Sequence, residues 1–319
     1  MIRMSAAMVS AVAAVTVVAC VRVKEPALRP TRAMPGAALW KDPGNLRTKD
    51  LFYGPWGAER APASDAVYTF VEQKHTGTNP GMTVRDPQGR EWSVKQIPPG
   101  ALDVEAKVEV TLSRLLSAIG YYQPADYFLP KFTLKDPWGS HTEVGGRFRL
   151  KDEALKEIGD WSWTHNPFIG SRPYNGLLVL MMIFNSTDLK DDNNSIYEYK
   201  NGDRVERWFA VRDLGSALGD TRRLGPYKGD VKAFEQEPYI IGVTRNRVQF
   251  AYTGFYERYV RNRISPEDVM WTSRLLGSLT EKQFHDAFQA GGYNDETASR
   301  FTGKLQQKIR AGGQLRPRS

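Results

Sequence analysis

Cysteine is nearly absent: of 319 residues only Cys20 is one. No intrachain disulfide can form, and no thiolate nucleophile is available in the body of the chain. Histidine is almost as scarce. His75, His141, His165 and His285 are scattered without the spacing of metal ligands, which sets zinc aside. There is no Gly-x-Ser-x-Gly elbow, and Asp191-Asp192 reads as solvated loop charge, not as a glycosidase pair. The net charge of +8 owes much to Arg3, Arg22, Lys24, Arg29 and Arg32 near the start and to Arg310, Arg316 and Arg318 in the tail. No Lys/Arg block with interleaved aromatics occurs inside the body, so a nucleic-acid partner is not expected. Internal repeats are also missing.

What remains is an ordinary globular composition, with 41% hydrophobic and 25% charged residues, enough to bury a core in one large domain or two lobes. The start is different. Met1-Ile2-Arg3-Met4 is followed by Ser5 to Ala19, small and apolar throughout, which reads as an export signal. It is at the short end of what spans a bilayer, for which ~20 residues are needed. The stretch closes on Val17-Val18-Ala19-Cys20, which resembles a bacterial lipobox. That resemblance implies lipidation at Cys20, a membrane anchor, and a body facing the periplasm or the cell exterior.

Residues 1–20 are therefore expected as signal and lipobox, and 21–66, rich in Pro, Gly, Ala and charge, as a tether. Within it Trp40, Leu51-Phe52-Tyr53 and Trp56 are expected to dock. From 67 to 150 the pattern gives a sheet with one helix. Tyr68 to Gln73 and Met82 to Arg85 read as strands, Asp86-Pro87-Gln88-Gly89 as a turn, and Glu91 to Lys95 as the return strand. Val108, Leu112, Leu115, Leu116 and Ile119 recur at helical spacing up to Gly120. Tyr127-Phe128-Leu129 and Phe132-Thr133-Leu134 are two short strand candidates. Residues 151–172 look irregular, an insertion between lobes. Residues 173–310 open on the apolar run Leu177 to Phe184 and contain a hairpin about Lys200-Asn201-Gly202-Asp203, a second hairpin over Tyr239 to Tyr252, and three helices: one starting at Ser265-Pro266, one at the capping box Thr280-Glu281-Lys282-Gln283, and a last from Asp295 to Ile309. Residues 311–319 are a tail.

Two acidic signatures stand out. Asp188-Leu189-Lys190-Asp191-Asp192-Asn193 follows the apolar run, and Asp213-Leu214-Gly215 follows the hairpin's second strand. This layout brings a loop carboxylate, an amide and a strand-end carboxylate together. Phosphoryl transfer needs such a kit: a group to orient the nucleophile and hard oxygen ligands for magnesium.

In order, the elements run as a glycine-containing β-turn-β, a strand ending in Lys95, a helix bearing Glu105 and Glu109, more strands, a helix, the Asp188 loop, a hairpin, Asp213-Leu214-Gly215, and helices. The order resembles the protein-kinase-like fold, over roughly 68–219. Asp188, Lys190 and Asn193 keep the family's Asp-x-Lys-x-x-Asn spacing, and Asp213-Leu214-Gly215 stands in place of Asp-Phe-Gly. The resemblance implies an α+β, bilobal fold: an N-terminal antiparallel sheet lobe with one helix and a mostly helical C-terminal lobe. It further implies that Asp188 orients or deprotonates an acceptor hydroxyl and that Lys190 steadies the γ-phosphate. Asn193 and Asp213 would ligate Mg²⁺. Lys95 would hold the α/β-phosphates of ATP or another nucleotide and pair with Glu109, or with Glu105 one turn earlier. Gly77 and Gly81 are the candidates for a phosphate loop. Ser186-Thr187 replaces the family's His-Arg, the loop 76–81 is not Gly-x-Gly-x-x-Gly, and no Ala-Pro-Glu follows Gly215. These departures point toward divergent secreted or atypical kinases. Two functions stay open at this level: an active phosphotransferase on an unknown hydroxyl acceptor, and a catalytically silent kinase-like lipoprotein serving as a cell-envelope binding or scaffold module.

Overall fold

The computed structural model describes residues 25–74, 80–97, 104–222 and 227–316. Cys20, the export segment and Gly77 lie outside them. No helix among the described residues is long and apolar enough to cross a membrane.

Residues 25–66, expected as a tether, lie along the body. They carry one two-residue strand, β1 (Ala37–Ala38), and bury Leu39, Leu46 and Leu51 in the main core. A barrel follows. It is made of β2 (Val67–Gln73), β3 (Gly81–Arg85), β4 (Glu91–Gln96), β5 (Asp126–Asp136) and β6 (Gly139–Leu150), and closes in the order β2-β3-β4-β6-β5. Pairing is antiparallel except at the closure, where β2 meets β5 in parallel. Strand alternation divides the side chains. Trp92, Val94, Phe148 and Leu150 point inward with Tyr68, Val84 and Phe132 to fill a separate core. Ser93, Lys95, Arg147 and Arg149 therefore share the opposite face, with Lys95 paired to Arg147 and Ser93 to Arg149.

Where two short strands were expected, β5 runs unbroken through Pro130. Gly145 on β6 allows this: a Cβ there would lie 1.7 Å from the Leu129 carbonyl oxygen, an approach only glycine permits. Between β4 and β5 comes α1 (Val104–Ala118). It ends at Gly120, whose φ of 99° lets the Tyr121 amide turn back to the Leu116 carbonyl at 3.0 Å.

The remainder is built on α2 (Arg172–Ile183), capped by Ser171 with Pro in its first turn and buried along almost its whole length. Beside it lies a sheet of order β1-β9-β8-β7, formed by β7 (Leu155–Gly159), β8 (Asn194–Asn201) and β9 (Arg204–Val211). The region expected to be irregular thus contributes one strand. The β8–β9 hairpin turns at Gly202, φ 59°. Beyond it come α3 (Val231–Gln236), the hairpin β10 (Ile240–Thr244) and β11 (Arg247–Phe250), α4 (Glu257–Val260), α5 (Pro266–Gly277), α6 (Glu281–Ala290) and α7 (Asp295–Gly313). The molecule is α+β, sheet-rich in its N-terminal half and helical at its C-terminus, the arrangement expected of a bilobal kinase-like fold.

Candidate active site

The outward face of β4 and β6 meets α1 across a cluster of charges. Lys95 Nζ lies 3.2 Å from Glu109 Oε2, 3.7 Å from Glu105 Oε2, and 3.1 and 3.2 Å from the two carboxylate oxygens of Asp213. Both candidate partners on α1 are within reach, and the buried Glu109 is the nearer. Burial alone would depress the Lys95 ammonium, but Glu109 and Asp213 outweigh it and its pKa is raised. Glu109 does not depend on the lysine. Arg149 Nη2 donates to its Oε1 at 2.8 Å, and Arg147 Nε stands 3.0 Å from the same oxygen without the alignment of a hydrogen bond. Burial would raise the Glu109 pKa; Lys95, Arg147 and Arg149 together bring it down to about 2. Arg149 also forks onto Asp126 at 2.7 and 3.0 Å.

The opposite wall carries the two acidic signatures, and backbone bonds stitch them together. Asn193 Nδ2 donates to the Asp188 carbonyl at 2.8 Å, while the Asn193 carbonyl accepts from the Arg212 and Asp213 amides at 2.9 and 3.2 Å. Thr187 donates through both its amide and its hydroxyl to the Ser216 carbonyl, at 2.8 and 3.0 Å. Lys190 Nζ pairs with the Asp188 carboxylate at 3.1 Å. Gly215 is small for a local reason: a Cβ there would meet the Glu105 Cβ at 3.0 Å, so the strand-end turn can lie against the start of α1.

The walls enclose one cleft of about 1480 Å³, lined among others by Lys95, Glu105, Glu109, Asp188, Lys190, Asn193 and Asp213. Residues far apart in the chain thus share one space. Gly81 begins β3 opposite Lys95 in the register and does not line the cleft. A Cβ on it would meet the Val94 carbonyl oxygen at 2.7 Å, which explains the glycine by packing.

The donor set fits a hard divalent cation. Asp213 offers a carboxylate that is 44% exposed toward the cleft. Asn193 commits its amide nitrogen to Asp188, which leaves its Oδ1 as the free acceptor. Sequence reasoning missed Arg147, Arg149 and Asp126. The signal was the alternation Arg147-Phe148-Arg149, which in a strand places both guanidiniums on one face.

The Lys95–Glu109 pair between the third barrel strand and α1, and the Asp188 and Asp213 loops that line the same cleft, match the arrangement that the resemblance to a divergent protein-kinase-like fold implies. No protein-family model and no curated protein matches the chain. Solved structures do, at low identity. The Helicobacter pylori proinflammatory kinase CtkA shares 12% identity at a TM-score of 0.44, over 79% of this chain and 97% of its own. The Golgi casein kinase shares 8% at 0.35, over 83% and 73%. The same kinase with Mn/ADP bound shares 10% at 0.30, over 85% and 76%. With TM-scores below 0.5 these likenesses carry nothing for the site, whose reading rests on the distances above.

Proposed function

We propose that the cleft is a phosphotransfer site that moves a phosphoryl group from a magnesium-bound nucleotide to a hydroxyl acceptor. The observation that carries this reading is Lys95 Nζ held between Glu109 and Asp213, at 3.2 and 3.1 Å. It sets a buried ammonium beside the carboxylate best placed to hold a metal. Asp213 and Asn193 would hold the magnesium, which supplies charge neutralisation on phosphate oxygens. Lys95 neutralises the donor's phosphates, and Glu109 keeps its side chain extended into the cleft. Asp188 orients the acceptor hydroxyl and takes its proton, with Lys190 beside it to balance charge. Such a site gains its rate mainly from positioning and electrostatics, which a cross-braced pair of walls can supply.

The lipobox-like Val17-Val18-Ala19-Cys20 supports a place for this chemistry on a membrane, outside the cytoplasm. Labelling with radioactive palmitate, lost on Cys20→Ser, tests that part by itself.

Thermal melting of the purified protein with MgATP tests the site. Saturation near 100 times the dissociation constant adds about 2.7 kcal/mol and a rise of several degrees. Asp213→Ala should abolish the rise and leave the unliganded melt cooperative. A wild-type melt unmoved by MgATP or any other Mg-nucleotide would overturn the phosphotransfer reading and leave a cleft that binds something else.

A further inference from the structure

The last helix reaches the end of α2, where the chain turns toward the Asp188 loop, through one buried lysine. Lys308 on α7 is 1% exposed, and no carboxylate lies within salt-bridge distance of its ammonium among the described residues. Its Nζ donates to the Ile183 carbonyl at 2.9 Å and to Asn185 Oδ1 at 2.6 Å. The rings of Phe234 and Tyr239 lie 4.4 and 5.5 Å away. Burial drives the lysine's pKa well below its ordinary value. An ammonium in such a place is costly unless what it holds has no other partner.

What it holds is the junction of the two acidic loops. Ile183 ends α2, so its carbonyl is one of the helix's unsatisfied acceptors at the negative pole of the dipole. Asn185, at φ 53°, turns the chain from α2 into Ser186-Thr187-Asp188. With Oδ1 taken by Lys308, its amide is oriented so that Nδ2 donates to the Gly219 carbonyl at 2.6 Å. Gly219 lies four residues past Gly215. Two further bonds run parallel to this one: the Leu218 amide to the Phe184 carbonyl and the Thr187 amide to the Ser216 carbonyl, both 2.8 Å. Residues 184–187 and 216–219 are thus zipped side by side, Asp188 following one edge and Asp213 preceding the other. Tyr252 closes the same junction with a 2.9 Å bond from its hydroxyl to the Ser186 carbonyl.

We infer that Lys308 is a positioning residue: through Asn185 it fixes the spacing between the Asp188 and Asp213 loops, and with it the metal-dependent part of nucleotide binding. This rests on the phosphotransfer reading for its consequence, though not for its geometry. The sequence resemblance stopped at residue 219, so it gave α7 no part in the site.

The test uses Lys308→Met, which keeps the length of the apolar stem, and Asn185→Gly, which tolerates the positive φ and removes the side chain that bonds Lys308 and Gly219. Amide hydrogen exchange should quicken about tenfold at Thr187 and Leu218 in both variants, while β3 and β4 keep wild-type protection. The affinity for MgATP should fall about tenfold in each, and the double variant should be no worse than either single one. Binding of ATP without metal should not change, which a general loss of packing would not spare. Should Lys308→Met fail to fold, Asn185→Gly decides. Should the wild type bind no MgATP, the phosphotransfer reading falls, and the exchange measurement still decides whether Lys308 holds the loops. Wild-type exchange at Thr187 and Leu218, or faster exchange with MgATP affinity intact, would overturn the inference.

Discussion

Three cations converge on Glu109, and they are not equivalent. Lys95 shares itself between Glu109, Glu105 and Asp213, whereas Arg149 is committed to Glu109 and to Asp126, both of them buried. Removing one partner of a buried pair leaves a naked charge and costs about 3–5 kcal/mol. Arg149→Met should therefore destabilise the protein by about that much in urea unfolding. Lys95→Met should cost clearly less, because both arginines still face Glu109, yet it should remove MgATP binding. Equal losses of stability would mean that the lysine secures the carboxylate as much as Arg149 does. The same residue sets an acid limit. The Glu109 pKa is lowered from an ordinary 4.5 to about 2 in the folded state. Its stabilisation is thus fully present above pH 4.5 and is lost as pH falls toward 2. The melting temperature should drop through this window, and Glu109→Gln, lower at neutral pH, should show a flatter profile. Parallel pH profiles would assign the acid loss to other carboxylates.

Helix α1 belongs to two neighbours at once. Glu109 faces the barrel strands, while Val108, Leu112, Leu115, Leu116 and Ile119 join the large core of the helical half. The crossing with α6 is close enough that a Cβ on Gly291 would lie 2.2 Å from Thr111 Oγ1 and 2.6 Å from the Lys107 carbonyl oxygen. Gly291 has an ordinary φ of −76°, so space and not backbone strain demands the glycine. Gly291→Val should cost about 1–3 kcal/mol by overpacking, read as a lower urea midpoint at unchanged slope. It should also weaken MgATP binding, because α1 carries Glu109. An unchanged midpoint would show that the two helices are free to part. This element also shows how much the sequence makes legible. The periodicity of α1, the stop at Gly120, the Asn201-Gly202 turn and the starts of α5 and α6 are local signals, and each element stands where its residues place it. The order of Lys95, Glu109, Asp188, Asn193 and Asp213 was readable because each sits at the end or on the face of such an element. The bracing by Arg147, Arg149 and Lys308 was not. It depends on which strands neighbour in the barrel and on where α7 lands, and those are long-range pairings. The two short strands expected at Tyr127 and Phe132 are one strand for the same long-range reason, since Gly145 on the neighbouring strand leaves room for the chain to continue through Pro130.

At the scale of the whole molecule, residues 25–66 tie the two halves together. Trp40 donates its ring nitrogen to the Ile119 carbonyl at 2.8 Å, and the Lys41 amide bonds Gly120 at the end of α1. Gln283 on α6 reaches the Leu46 and Lys49 carbonyls, both at 2.8 Å. Arg114 of α1, fully buried, donates to the Phe52 carbonyl and lies under the Trp56 ring, while Tyr127 of the barrel bonds the Gly57 carbonyl. Arg60 pairs with Asp152 just past the last barrel strand, and β1 extends the β9 edge. A belt that touches α1, α6, the barrel and the second sheet ties the elements on both sides of the cleft to one another. It is also part of the core. Burying Leu39, Leu46 and Leu51 is worth about 1.5–3 kcal/mol each, which together approaches the 5–15 kcal/mol that holds a typical protein folded. A chain beginning at Val67 should therefore lose its cooperative thermal transition, with or without MgATP, whereas one beginning at Glu25 should melt like the full chain. The two chains differ by only 42 residues of low sequence periodicity, so composition alone would rank the deleted stretch as dispensable. Should the shorter chain melt cooperatively and still bind MgATP, the belt would be packing laid over an independent fold, and the closeness of the cleft walls would have to come from the Lys95–Asp213 contact and the α1–α6 crossing alone.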